Sequence, residues 1–212
     1  MLSFNLRSGG SMTANPEAHF QTQNLTLRPY EIGDVEVLFP ILSDPTTLQF
    51  WPHPFTRNQV ETWVDRNRRS YEMDGFSRYI VSLNSDGTVI GDCGILRGIV
   101  AGQVVNDVGY IIHHPYWGRG YATEAAQAIA NYGLTTLKLD ALHANMPWNH
   151  HASRRIAEKI GMHKISEFDN PINRNIRTFL YIRNHPETNP VNEADRAPPS
   201  VKVDLLSERR KS

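Results

Sequence analysis

Three strand-like runs follow one another between Tyr79 and Ile112, and they constrain the fold more than any other stretch. Tyr79–Leu83, Thr88–Leu96 and Val104–Ile112 are rich in β-branched and aromatic residues. Asn84-Ser85-Asp86-Gly87 and Ala101-Gly102 separate them with turn chemistry, which predicts an antiparallel meander. Helical signals flank it. Leu25-Thr26-Leu27-Arg28 alternates in period two and stops at Pro29. Val35, Leu38, Ile41 and Leu42 then fall at helical spacing behind Asp34. Thr56-Arg57-Asn58-Gln59 has the form of a capping box opening a helix with Val60, Trp63 and Val64. Downstream, a helix is predicted over Ala122–Leu137, a strand over Leu142–Met146 and a helix over Ala152–Ile160 that stops at Gly161. Strands near Met162–Glu167 and Ile176–Ile182 close the pattern, a mixed sheet flanked by about four helices.

Composition narrows the class. The chain has 212 residues, enough for one domain with tails, and 22 basic against 22 acidic residues give zero formal charge. A duplex-binding domain usually carries a basic excess, so nucleic acid is not an expected partner. A lone cysteine, Cys93, rules out an internal disulfide framework and a cysteine zinc site. No apolar run reaches the roughly 20 residues that span a bilayer, and Met1–Gln23 lacks an apolar h-region. No membrane partner is expected, and the expected location is the cytoplasm. Residues 1–23 and 185–212 read as tails around a domain at 24–184, the second tail being polar and proline-rich. Met12, after Gly9-Gly10-Ser11, offers a second start, which leaves open whether residues 1–11 are native.

The chemistry concentrates in Val108–Ala125: a strand, a glycine-bearing loop and a helix start. Glycines let the backbone turn tightly and approach a ligand. The first amides of a helix lack internal partners and carry partial positive charge, an anion site suited to a pyrophosphate. Trp117, Gly118, Arg119, Gly120, Tyr121, Ala122 and Thr123 are the candidate binding residues. No Lys-Ser or Lys-Thr follows the second glycine, which excludes a P-loop, and a third glycine is missing for a dinucleotide fingerprint. Alone, Gly-x-Gly is compatible with an ordinary strand-to-helix turn.

The wider pattern is more specific. Trp117-Gly118-Arg119-Gly120-Tyr121-Ala122 fills the Q/R-x-x-G-x-G/A frame of the GNAT acetyltransferases, with Trp117 where Gln or Arg is commoner. Tyr116 through Ala125, behind Gly109-Tyr110, is similar to the "YWGKGYATEA" segment of the branch with the ribosomal-protein alanine N-acetyltransferases. Leu25-Thr26-Leu27-Arg28-Pro29 with Asp34, and Asn149 and Ser153 followed by Lys159-Ile160-Gly161-Met162, extend the resemblance over about residues 24–184. It implies an α/β (α+β) GNAT-type fold, with a mixed, mostly antiparallel sheet of about six or seven strands and about four helices.

The resemblance also implies an activity. Acetyl-CoA would be the co-substrate, and a primary amine would attack it directly, with no covalent enzyme intermediate. The strand at Val108–Ile112 would face the pantetheine arm through Ile111 and Ile112, and an amide near Ile112 would stabilise the oxyanion. Ser153 would sit near the departing sulfur, or cap its helix. Asn149 would bind the pantetheine amides, or cap the same helix. Many relatives place a tyrosine acid where this chain has Ala157. Asp107 is the candidate general base, or a solvated carboxylate, with Asp92 a weaker alternative. Glu124 would support the helix terminus electrostatically.

Trp51, Pro52, Phe55 and Trp63 either wall the acceptor site or pack as core. Neither His113-His114 nor His150-His151 has i,i+4 spacing, so no metal is expected. The acceptor is expected to be a peptide or protein α-amino group, with a polyamine or aminoglycoside-like amine as the alternative. A non-catalytic acyl-CoA sensor and a plain α/β module remain open, as does monomer against homodimer.

Overall fold

The computed structural model describes residues 19–186. Eight strands form one sheet: β1 (Phe20–Gln21), β2 (Leu25–Arg28), β3 (Arg78–Leu83), β4 (Val89–Val100), β5 (Gln103–Ile112), β6 (Ala141–Pro147), β7 (His163–Asn170) and β8 (Ile176–Asn184). Four α-helices accompany them: α1 (Asp34–Leu42), α2 (Arg57–Asp74), α3 (Tyr121–Asn131) and α4 (His151–Lys159). The spatial order is β1-β2-β3-β4-β5-β6-β8-β7. Every neighbouring pair is antiparallel except β5–β6, which α3 joins as a parallel pair. The predicted fold class therefore holds, with one strand more than expected.

The extra strand corrects the first boundary. Residues 19–23 belong to the fold rather than to a tail, because Phe20 pairs with Leu27 and its ring meets Tyr79 and Tyr132 edge-on at 4.9 and 4.8 Å. Residues 1–18 and 187–212, with the rest of both expected tails, lie outside the described residues.

Local signals act as the sequence dictates. Thr56 accepts from the Gln59 amide while the Gln59 side chain accepts from the Thr56 amide, so the capping box opens α2. Gly161 takes φ +84° behind α4, a conformation that costs any other residue. Strand alternation then assigns the faces. Asp92 of β4 meets Trp63 of α2, whereas Tyr110 of β5 meets Ser153 of α4. Helices α1 and α2 thus cover one face and α3 and α4 the other. Leu25, Leu27, Ile80, Ile90, Ile129, Leu134 and Leu142 are among the fully buried core residues between these layers. Cys93 lies buried in β4, as expected, and burial pushes its thiol up to about 12. Among the described residues no helix is long and apolar enough to cross a membrane.

Candidate active site

The one parallel pair does not stay paired. Its register consists of a single bridge, Asp107 opposite His143, after which β5 and β6 part. Backbone direction decides what faces the gap. His113 N donates to Ile90 O, and antiparallel pairs alternate along a ladder, so Ile111 turns its N–H and C=O towards β4. Tyr110 and Ile112 turn theirs away, towards the gap. Of the two residues expected to offer backbone to a ligand, Ile112 is placed to do so and Ile111 is not. The Ile112 carbonyl is already taken, because Trp117 Nε1 donates to it at 2.6 Å. Trp117, the departure from the usual Gln or Arg, therefore pins the loop to the end of β5.

At the mouth of the gap the loop bends through Gly118 at φ +75° and Gly120 at φ +87°, both left-handed. Nothing lies within 4 Å of where a side chain at either would begin, so the space in front of α3 is open. Gly120 is the N-cap of α3, whose first amides point into that space. Exposed Arg119 lies 5.5 Å from the Tyr116 ring centroid, donates to Pro115 O, and has no ion-pair partner among the described residues. Tyr121, Ala122 and Thr123 are half-buried in the first turn. Geometry and charge suit an anion.

Two polar groups flank the gap on opposite faces. On the α1/α2 side, Asn145 Nδ2 of β6 donates to both oxygens of Asp107 at 3.1 Å. The carboxyl is enclosed although the residue as a whole is half-buried, and burial raises its pKa to about 6 against the bonds from Asn145. It is thus a carboxylate at neutral pH with appreciable basicity. On the α3/α4 side, the Tyr110 phenol lies 2.7 Å from Ser153 Oγ and donates to Ser153 O at 3.0 Å. Burial keeps that phenol protonated well past the usual range. Ala157, where relatives place a tyrosine, is buried, and Tyr110 brings a phenol to Ser153 from the strand instead. This contact spans 43 positions and has no local sequence signal.

Other expectations change. His150 caps α4, its Nδ1 accepting from the Ser153 amide at 3.2 Å, which removes the capping alternative for Ser153 and for Asn149. Asn149 is exposed beside α4, its amide unbonded among the described residues. Asp92, the weaker candidate base, is fully buried and accepts from Tyr30, from Trp63 at 3.0 Å and from Arg78 at 2.5 Å, which keeps it from an incoming amine. Glu124 is more than an electrostatic aid to its helix. It accepts from Thr22 Oγ1 at 2.6 Å, from Asn24 N at 2.7 Å and from Asn24 Nδ2 at 2.9 Å, tying the N-terminal strands to α3.

Trp51, Phe55 and Trp63 pack edge to face at 5.5 to 5.9 Å, with Trp63 buried and the other two half-exposed, so one cluster is both core and wall. His113 and His114 gain a third neighbour in Asp44, with ligand atoms within 4.8 Å of one another. Asp44 already accepts from Thr47 and, at 2.8 Å, from His114 Nδ1, so it serves to fasten the α1–α2 connection to the end of β5.

Known proteins resemble the chain in sequence and in fold. Residues 24–163 match the acetyltransferase (GNAT) domain. The chain is 33% identical to the Bacillus subtilis protein YkkB over 162 residues, 74% of this chain and 94% of that one. Its fold is similar to a GNAT-family acetyltransferase from Bacillus anthracis, at 24% identity and a TM-score of 0.67, covering 79% of this chain and 99% of the other. It is also similar to RimL, a ribosomal L7/L12 alpha-N-protein acetyltransferase in complex with coenzyme A, at 14% identity and a TM-score of 0.64, covering 77% and 95%. A domain match over most of the chain, and a relative at this identity and coverage, show that the chain belongs to the GNAT acetyltransferase family.

Proposed function

We propose that this N-acetyltransferase takes its acetyl group from acetyl-CoA and passes it to the α-amino group of a peptide or protein by direct attack. The observation that carries the reading is the opening of β5 from β6 after the Asp107–His143 bridge, with a base on one face and a hydroxyl pair on the other. Acetyl-CoA would supply an activated acyl thioester. The glycine loop and the first amides of α3 would hold its pyrophosphate, with Arg119 and Thr123 beside them. The gap-facing backbone of Tyr110 would pair with the pantetheine arm much as a missing strand would, the Ile112 carbonyl being held by Trp117.

The remaining steps belong to side chains. Asp107, ionised at neutral pH, would take the amine's proton directly or through water, and Asn145 keeps it aimed. The Ile112 N–H would receive charge as it develops on the acyl oxygen. Ser153, held in place by Tyr110, would turn its hydroxyl proton to the departing sulfur while the phenol stays protonated on Ser153 O. Asn149 would reach the pantetheine amides. The RimL resemblance favours a protein amine; the half-exposed aromatic wall leaves a small amine as the rival.

Coenzyme A release, measured over peptide N-termini, polyamines and aminoglycosides, tests the reading. Turnover of peptide termini supports it, and turnover of small amines alone moves the acceptor to that class. A thermal shift with acetyl-CoA separates a silent sensor from a protein with no coenzyme site. Ligand at 100 times its dissociation constant should stabilise the fold by about 2.7 kcal/mol.

A further inference from the structure

Arg78 is the least satisfied buried charge in the described chain. Its side chain is 5% exposed, and only Nη2 has a protein acceptor, Asp92 Oδ1 at 2.5 Å. Nε is buried with no partner, and Nη1 has none among the described residues. The other oxygen of Asp92 is occupied, accepting from Tyr30 and Trp63. The guanidinium stands 5.2 Å from the Trp63 ring centroid, which fixes its plane. A buried arginine with most of its fork unused is seldom left so, and a water, an ion or a ligand oxygen can meet it.

Its unused edge has a direction. Nη1 lies 2.3 Å from where a side chain at Gly109 would begin, so the absence of one there is what admits the guanidinium. Gly109 follows Asp107 by two residues and shares its face of β5. With Asp107 opposite His143 in parallel register, Gly109 is level with Asn145, the residue that holds Asp107. The free edge of Arg78 and the Asp107 carboxylate therefore lie together on the α1/α2 side of the gap.

We propose that Arg78, seated over Gly109, is a subsite for an oxygen α to the attacking amine, so that the acceptor is an α-amino carbonyl compound. This rests on the acyl-transfer reading, and it names what that reading leaves open. A peptide terminus offers a carbonyl oxygen there and a free amino acid offers a carboxylate. A polyamine offers neither.

Calorimetry on the coenzyme A-loaded protein tests it, with alaninamide, alanine and isopropylamine as probes. Isopropylamine keeps the amine and lacks the oxygen. Wild type should bind alaninamide or alanine about 10- to 100-fold tighter than isopropylamine, the range for a hydrogen bond to a charged group. The tighter of the two identifies the source, peptide or free amino acid. Gly109→Ala would put a methyl 2.3 Å from Nη1, so the guanidinium must move off its seat, and the preference should shrink towards unity. Arg78→Lys, which keeps the charge and loses the fork, should shrink it too and carries the comparison if the alanine variant does not fold. Equal binding of all three probes by wild type, or a preference that survives in the folded variants, would overturn the subsite. Because binding is read without transfer, a protein that shows the preference but releases no coenzyme A from acetyl-CoA loses the acyl-transfer reading and keeps the subsite.

Discussion

Replacing Asp107 by Asn should cost activity and yield stability, and the two effects should part company along the pH axis. The folded carboxyl has a pKa of about 6, against an ordinary 3.8, because burial penalises its charged form. A carboxyl whose folded pKa is raised holds its proton more tightly in the folded state. Its contribution is therefore complete below about pH 3.8 and is lost as pH rises through about 6. At about 1.36 kcal/mol per pKa unit, the full penalty above pH 7 approaches 3 kcal/mol; half-burial reduces it to about 1–2 kcal/mol. Asn keeps an oxygen for Asn145 and carries no charge, so it escapes that penalty. For a chain of this size the gain corresponds to a melting temperature roughly 3–6 °C higher at pH 8. Acetyl transfer should fall by about 10²–10⁴, the usual contribution of a general base. Melting curves from pH 4 to 8, run beside coenzyme A release at pH 8, measure both. A melting gap that does not widen between pH 4 and 7 would refute the buried-carboxylate argument, and transfer at the wild-type rate would remove Asp107 from the mechanism.

Three more outcomes are expected. Tyr110→Phe removes the phenol that orients Ser153, and kcat should drop about tenfold with little change in acetyl-CoA affinity, read by calorimetry beside initial rates. Gly120→Ala adds only left-handed strain, about 1–2 kcal/mol, whereas Gly120→Glu also adds a like charge at the anion site; the glutamate should abolish acetyl-CoA binding while alanine weakens it, and equal losses would leave charge without a role. Burial holds His150 at about 4, so its cap is fully present above pH 6.5 and is lost as pH falls towards 4; His150→Asn, a cap that does not titrate there, should flatten that limb of the melting profile.

What the sequence revealed follows the reach of each interaction. Thr56 with Gln59, Gly161 behind α4 and the hairpin turns are decided within a few residues, and each is where local chemistry puts it. The glycine loop was legible for the same reason. His150 displaced Asn149 and Ser153 as cap because its ring also stacks on Phe50 at 3.8 Å, a partner 100 positions away that no helix signal contains. The Glu124 tie to Thr22 and Asn24 depends on how α3 lies against the first strands, and the meeting of Tyr110 with Ser153 and the placing of Arg78 over Gly109 depend on how β5 sits against its neighbours. That information resides in register, which one-dimensional patterns carry only as alternation. The extra strand β1 has two residues, below the length at which alternation can be read at all.

The single bridge between β5 and β6 has a mechanical consequence. The meander on one side and β6, β8 and β7 on the other share almost no backbone ladder, so their spacing is kept by α3 and by side chains across the seam. A coenzyme that laces its amide-bearing arm along Tyr110 and Ile112 would act as a suture between the two halves. Hydrogen exchange at those two amides should slow on binding, and the chain should stiffen as one body. Loss of the product would loosen the seam again, so that the protein would breathe once per turnover.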